Sequence, residues 1–262
     1  DRTNWKFGTK NINILTLAIV YKGVAFPVLF HIMPKFGNSS MQERIDLMDR
    51  FIRLFGSSCI ECLLADREFI GDKWLEYLNR LNIEYHIRIR ENFWVEIPRN
   101  GHMVKASWLF GSLKINECGF YSKIARVNGE LCYLSASKII NRENKPELQI
   151  IVSYNKPDKA QALYKERWQI ESAFKALKTS GFNIEDTHLT DIDRVCKLLS
   201  LVLIAFAWVY KAGIYLDTLK PIKIKKHGRR AKSLFKYGLN YIANLLFSND
   251  IDKFNQCCKF LS

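Results

Sequence analysis

The stretch "NINILTLAIVYKGVAFPVLFHIM", Asn11 to Met33, decides how the chain begins to fold. Two apolar runs rich in β-branched residues flank Lys22 and Gly23, which predicts a strand, a tight turn and a second strand. Working outward, "SSMQERIDLMDRFIRLFG" places Ser40 where a helix cap belongs and Glu43 three residues on, as in a capping box. Apolar Ile45, Leu47, Met48, Phe51, Ile52 and Phe55 then mark a helix that Gly56 ends. "ECLLADREFIG" reads as a short buried strand closing on Asp66, "GDKWLEYLNRLN" as a helix and "EYHIRIRE" as a strand. The order β-β-α-β-α-β is that of an α/β layered core.

Between about Phe93 and Asn155 the texture changes to short β-like runs, broken by Asn100-Gly101 and Asn128-Gly129, which are strong hairpin signals. After Pro157 the chain reads as helical to its end. The expected organisation is an α/β core over residues 1–92, a β-rich insertion over 93–155, the rest of the core over 156–211 and a basic helical region over 212–262.

Composition bounds the function. The 262 residues are 48% hydrophobic and 13% aromatic, enough for a sizeable core and too apolar for a disordered chain. A formal charge of +14 points to a polyanionic partner, with nucleic acid ahead of an anionic membrane. The excess concentrates at the end, where eleven Lys and Arg stand against three Asp from Lys211 to Ser262. The longest apolar run, Leu198 to Tyr210, falls short of the roughly 18 residues that a bilayer demands, and reads as a buried core helix with no membrane partner. "DRTNWKFGTKN" lacks the apolar core of a signal peptide, which predicts a cytoplasmic protein. Seven scattered cysteines suit reduced thiols, and Cys59 and Cys62 lack a second ligand pair for zinc. The chain opens on Asp1 rather than Met, as a fragment or excised domain would.

The chemistry gathers around "YKERWQIESAFKALK", Tyr164 to Lys178. At about 100° per residue, Tyr164, Arg167, Glu171 and Lys178 fall within an arc of about 60°, beside an apolar face of Leu163, Ile170, Ala173, Phe174 and Leu177. Taken alone, Arg167 and Glu171 are equally an ordinary surface i,i+4 ion pair, and Asp66 an ordinary turn former. Together, aspartates at or beside strands and a glutamate on a packed helix meet the needs of a two-metal phosphoryl-transfer site. Hard divalent cations bind carboxylate oxygens, and neighbouring cations hold the phosphodiester.

Those residues resemble the DDE-type insertion-sequence transposases of the insertion sequence four family. The stretch fits their Y-x2-R-x3-E-x6-K signature without a mismatch, "LLADREFIG" resembles the second-aspartate segment, and "DRTNWKFG" resembles the first. "GFNIEDTHLTDIDRVCKLLSLVLIAFAWVYKAG" and "HGRRAKSLFKYGL" resemble the family's C-terminal region. The resemblance implies an RNase H-like fold, with Asp1, Asp66 and Glu171 as the catalytic carboxylates that hold two Mg²⁺ ions, for which Mn²⁺ can substitute. It implies that Tyr164, Arg167 and Lys178 contact transposon-end DNA. Water would free a 3′-hydroxyl at the element's end, and that hydroxyl would attack target DNA.

The resemblance further implies double-stranded DNA as partner, a homodimer bridging two ends, and an N-terminal recognition region ahead of Asp1. Members with a β-rich insertion pass through a DNA hairpin, stacking a flipped base on an aromatic side chain. Here Trp94 and Trp108 lie far before the signature, and Trp108 reads as insertion core. Arg229 and Arg230, among six cations in ten residues around "KHGRRAK", are expected on DNA phosphates. Two alternatives stay open: an RNase H-like nuclease of another lineage, and a catalytically silent DNA-binding fragment of a decayed element.

Overall fold

The computed structural model describes residues 1–7, 10–33, 35, 37–141, 143–179, 181–226, 228–248 and 250–261. Along the chain run β1 (Arg2–Phe7), β2 (Lys10–Tyr21), β3 (Val24–Met33), α1 (Met41–Phe55), β4 (Leu63–Ala65), α2 (Asp72–Arg80) and β5 (Tyr85–Ile89). Then come β6 (Trp94–Ile97), β7 (His102–Lys105), β8 (Cys118–Phe120), β9 (Ala125–Val127), β10 (Glu130–Ile140) and β11 (Pro146–Ser153). Helices α3 (Pro157–Tyr164), α4 (Gln169–Lys178), α5 (Ile192–Leu219), α6 (Leu234–Ser248) and α7 (Ile251–Cys258) complete it. The class is the expected α/β, an RNase H-like core of mixed sheet and helices with a helical C-terminal part. The chain divides into two compact units, one of residues 1–2 and 37–169, the other of residues 3–36 and 170–262.

The first unit is built on an eight-stranded sheet in the order β4-β5-β11-β10-β9-β6-β7, with β8 also on β10. Only β4 and β5 run parallel, with Leu64 opposite His86 and Ala65 opposite Ile87. Strand β11 lies antiparallel on the other edge of β5, so the β-rich segment and the α/β segment share one sheet. The capping box forms as read: Glu43 N–H donates to Ser40 Oγ at 3.2 Å, and Ser40 N–H donates to the Glu43 carboxylate. Asn128 and Gly129, both at positive φ, make the two-residue turn between β9 and β10. Between β6 and β7 the turn is longer, and only Gly101 takes positive φ.

His86 is fully buried on β5, its Nδ1 2.9 Å from Ser153 Oγ and its Nε2 without a hydrogen-bond partner among the described residues. Burial pushes its pKa below the ordinary 6.5; Glu84 opposes that shift and Lys156 adds to it.

The second unit pairs the three-stranded sheet β1-β2-β3 with the C-terminal helices. Lys22 and Gly23, at φ 50° and 74°, form the predicted turn. A bulge interrupts the β2–β3 ladder between Leu17 and Ala18, opposite Pro27, and β3 is an edge strand, where a residue without an N–H is tolerated. Strand β1 escaped the sequence reading, although its alternation of buried Thr3 and Trp5 with exposed Asn4 and Lys6 carries the period-2 signal.

Helix α5 corrects a second expectation. It spans 28 residues, because Lys197 and Lys211 continue the helix rather than bounding it, and by length and composition it suffices to cross a membrane. Its buried face, however, packs Val195, Leu199, Phe206, Val209 and Tyr210 into a core with Trp5, Ile14 and Phe235. Phe206, Tyr210 and Phe235 meet ring to ring at centroid separations of 4.9 to 5.6 Å. Where α5 and α6 approach, Gly213 and Gly238 face each other; a Cβ on Gly238 would overlap the Val209 carbonyl oxygen, and one on Gly213 the Leu234 carbonyl oxygen.

Two outcomes are expected. Because backbone must move to admit a methyl, Gly238→Ala should cost about 1–3 kcal/mol in denaturant unfolding, whereas Gly71→Ala, whose new Cβ would meet only Trp74 at 4.0 Å, should cost less than about 1 kcal/mol. Since unfolded His86 binds a proton more readily than folded His86, its contribution to stability is complete above pH 6.5 and is lost as pH falls below that value. The slope of unfolding free energy between pH 7 and 5 should therefore be shallower in His86→Gln by up to about 1.4 kcal/mol per pH unit, and equal slopes would refute this origin.

Candidate active site

Asp66 leaves the sheet at the C-terminal end of β4, one residue past the Ala65–Ile87 pair. It caps a 3-10 turn, Arg67–Phe69, accepting from Arg67 N–H at 2.7 Å through Oδ1. Asp1 precedes β1; its Oδ1 accepts from Arg2 N–H at 2.7 Å, and its Oδ2 accepts from Arg167 Nη1 at 2.9 Å. This last ion pair is largely buried, with the two side chains 11% and 15% exposed, and it joins the first-aspartate segment to the signature stretch.

The Arg167 guanidinium lies 5.8 Å from the Tyr164 ring. Tyr164 is buried on α3 against Ile151 and Ala160, and its hydroxyl has no hydrogen-bond partner among the described residues. Burial raises the phenol's pKa; the Arg167 charge opposes that, and the Asp66 carboxylate adds to it. Helix α3 is placed by Gln161, which donates from Nε2 to Ser135 Oγ on β10 at 3.1 Å and to the Gln149 carbonyl on β11 at 3.3 Å. Thus Asp1, Asp66, Tyr164 and Arg167 gather within the first unit.

The signature stretch is not the single α-helix expected. Residues Lys165–Trp168 wind as a 3-10 turn between α3 and α4, at about three residues per turn, so counting 100° per residue fails across them. The unit boundary falls after Gln169, so Tyr164 and Arg167 belong to the first unit and Glu171 and Lys178 to the second. Within α4, Glu171 is partly buried, seven residues ahead of Lys178. Lys178 Nζ donates to the Asn4 carbonyl and stands 3.8 Å from Glu185 Oε1, whose carboxylate also accepts from Lys6 N–H at 2.9 Å. Burial lowers the Lys178 pKa, and Glu185 opposes the shift.

An all-carboxylate donor set suits a hard divalent cation. Asp66 Oδ2 accepts no hydrogen bond among the described residues, so on donor chemistry Asp1 and Asp66 fit such an ion. Among the described residues no three His, Cys, Asp or Glu side chains converge as ligands, and Glu171 belongs to the second unit.

A cleft of about 820 Å³ in the first unit starts at the residues after Asp66, lined by Arg67, Arg90, Arg126, Phe93, Trp94 and Met103 among others. Trp94 is half-exposed there. Trp108, expected in the insertion core, is 68% exposed; the 3-10 turn Ala106–Phe110 buries Ala106 and Phe110 and leaves the indole outside.

In the second unit, the basic run folds back on itself. Ile224 bridges Arg230, Lys225 N–H donates to the Arg229 carbonyl at 2.8 Å, and Gly228 sits at φ 78°; His227 lies outside the described residues. Lys223, Lys225, Lys226 and Arg229 are exposed. Arg230 pairs with Asp217 at 3.1 Å, and Lys232 lies 3.9 Å from the Tyr237 ring.

The sequence reading missed Arg2, Arg44 and Glu68, which surround the two aspartates. Arg44 carried a signal: it occupies the buried face of α1 with Leu47, Met48 and Phe51, at helical spacing, where a charge is out of place. The family model described as Transposase DDE domain matches residues 2–208. No curated protein matches the chain.

Proposed function

The chain belongs to the transposase DDE domain family, and from that premise we propose that it cuts DNA at the ends of an insertion sequence and joins the freed 3′-hydroxyl to target DNA. The observation that carries this reading is the buried Arg167–Asp1 ion pair, which sets a phosphate-binding group of the signature stretch against the first aspartate. On this reading the chain is a member of the insertion sequence four group, with residues 93–155 as its β-rich insertion, and it would act as a homodimer bridging two ends in the cytoplasm.

Asp1, Asp66 and Glu171 are the proposed catalytic carboxylates and would hold two Mg²⁺ ions, or Mn²⁺ in their place. When bound, the cations supply the charge that activates an attacking oxygen and stabilises a leaving one. The protein's own groups do the positioning. The planar fork of Arg167 matches two phosphate oxygens, as it does a carboxylate. The Tyr164 hydroxyl, for which the described residues offer no geometric hydrogen-bond partner, is a buried donor beside Arg167, suited to a phosphate oxygen. Lys178, 3.8 Å from Glu185, would serve the DNA from α4. In the first unit's cleft, guanidinium groups and the Trp94 face suit a strand whose bases are unstacked.

Two assays test this reading. On oligonucleotide copies of the element's ends with Mg²⁺, Asp66→Asn and Glu171→Gln should each lose more than about 100-fold in end cleavage, since even outer partners of metal ligands cost 10–100-fold. Activity equal to wild type would sink the assignment. The exposed hairpin around Lys225 predicts salt-sensitive binding to duplex DNA. Replacing Lys225, Lys226 and Arg229 with Ala should flatten the slope of log affinity against log salt by about 0.9 for each phosphate no longer neutralised. An unchanged slope would remove the hairpin from the DNA interface.

A further inference from the structure

Arg44 is a charged side chain only 9% exposed, and the reaction proposed above makes no use of it. Its Nε donates to Ser39 Oγ at 2.9 Å, and its Nη2 donates to the Ser39 carbonyl at 2.9 Å and to the Glu68 carbonyl at 2.8 Å. The guanidinium carbon stands 4.9 Å from the Phe69 ring centroid. A single buried fork thus fastens the start of α1 to the turn that follows Asp66. The Glu68 side chain on that turn is gripped from the other direction: Arg2 Nε donates to Oε1 at 3.3 Å and Arg2 Nη2 to Oε2 at 3.1 Å. Arg2 Nη2 also reaches Asn38 Oδ1 at 3.1 Å. Arg2 directly follows Asp1, and Glu68 stands two residues after Asp66.

We infer that Arg2, Glu68 and Arg44 form a brace that fixes the Asp1 and Asp66 carboxylates relative to each other, as positioning residues for the site. Burying Arg44 costs desolvation that an apolar residue at this position of α1 would avoid. What the guanidinium adds is direction: Nε–H on Ser39 Oγ and Nη2–H bonds on the Ser39 and Glu68 carbonyls, made from two nitrogens held in one rigid plane, whose places a single ammonium nitrogen cannot both take. The two-point Arg2–Glu68 pair then transmits that fixed turn to the start of β1. Outer contacts of this kind orient the carboxylates that hold a cation and set its affinity.

The inference rests on the reading of Asp1 and Asp66 as metal-holding carboxylates, and its test separates the two. Binding of Mn²⁺ to the full chain is measured by electron paramagnetic resonance, alongside Tm, for wild type, Arg2→Gln, Glu68→Gln, the double variant, Arg44→Lys and Asp66→Asn. Arg2→Gln and Glu68→Gln should each weaken Mn²⁺ affinity by about 10- to 100-fold, and the double variant no further, because both break the same ion pair. Arg44→Lys should fall in the same range. Tm should move by no more than about 4 °C in the Arg2 and Glu68 variants, since that pair is partly exposed. Wild-type affinity in Glu68→Gln and Arg44→Lys, with binding lost in Asp66→Asn, would overturn the brace and leave the aspartates standing. Weakening in Glu68→Gln but not in Arg2→Gln would make Glu68 a ligand itself and also overturn it. A wild-type chain that takes up no Mn²⁺, or an Asp66→Asn variant that binds as wild type does, would overturn the aspartate reading and the brace with it.

Discussion

Backbone ladders on both edges of β5 are the constraint on which the first unit depends. On one edge the parallel pairing holds β4, so that Asp66 leaves the sheet immediately beyond the Ala65–Ile87 pair. On the other, antiparallel pairing with β11 runs to Ser153, opposite His86, and delivers the chain to Pro157, where α3 starts with proline in its first turn. Helix α3 returns over β10 and β11 through Gln161 and sets Tyr164 and Arg167. One strand therefore sets both the second aspartate and the first half of the signature. Tyr85, His86, Ile87 and Ile89 are all buried, so a one-residue slip of β5 would turn every one of them to the other face and carry Asp66 with it.

How much of this is legible in the residues depends on how local the cause is. The Lys22-Gly23 turn, the Ser40–Glu43 capping box and the end of β4 at Asp66 are each set by a few adjacent residues, and each reads correctly from them. The signature residues can be named, yet their arrangement cannot: over the four residues Lys165–Trp168, a period of 3.0 and one of 3.6 leave the same apolar pattern. Helix α5 reads as too short when a lysine is treated as its boundary, while a lysine facing solvent does not end a helix capped by Asp191. Trp108 is expected inside because large aromatics usually are buried; its 3-10 turn buries its neighbours Ala106 and Phe110 instead. The roles of Arg2 and Arg44 require tertiary structure, since their acceptors lie 66 and 24 residues away.

The charge of the molecule divides into two kinds. In the hairpin around Lys225, Lys223, Lys225 and Lys226 are exposed and contribute to the long-range field. Around the aspartates two guanidinium groups pair with carboxylates, Arg2 with Glu68 and Arg167 with Asp1, while Arg44 holds backbone carbonyls beside them. Carboxylates crowded without such partners would raise one another's pKa and lose the charge a cation needs. Cations placed there offset the negative charge that the carboxylates gather.

Arg167 differs from the other two guanidinium groups in what holds it. Arg2 and Arg44 are tied to the Glu68 turn, and moving either would disturb the site's framework. Arg167 instead holds Asp1 Oδ2 directly, and a phosphate offers its planar fork the same two-oxygen geometry that a carboxylate does. On the proposed reading, DNA that draws Arg167 onto a phosphate loosens its hold on the Asp1 carboxylate. The oxygen wanted for a divalent cation then becomes available as the substrate arrives, so one ion pair would link DNA binding to completion of the site.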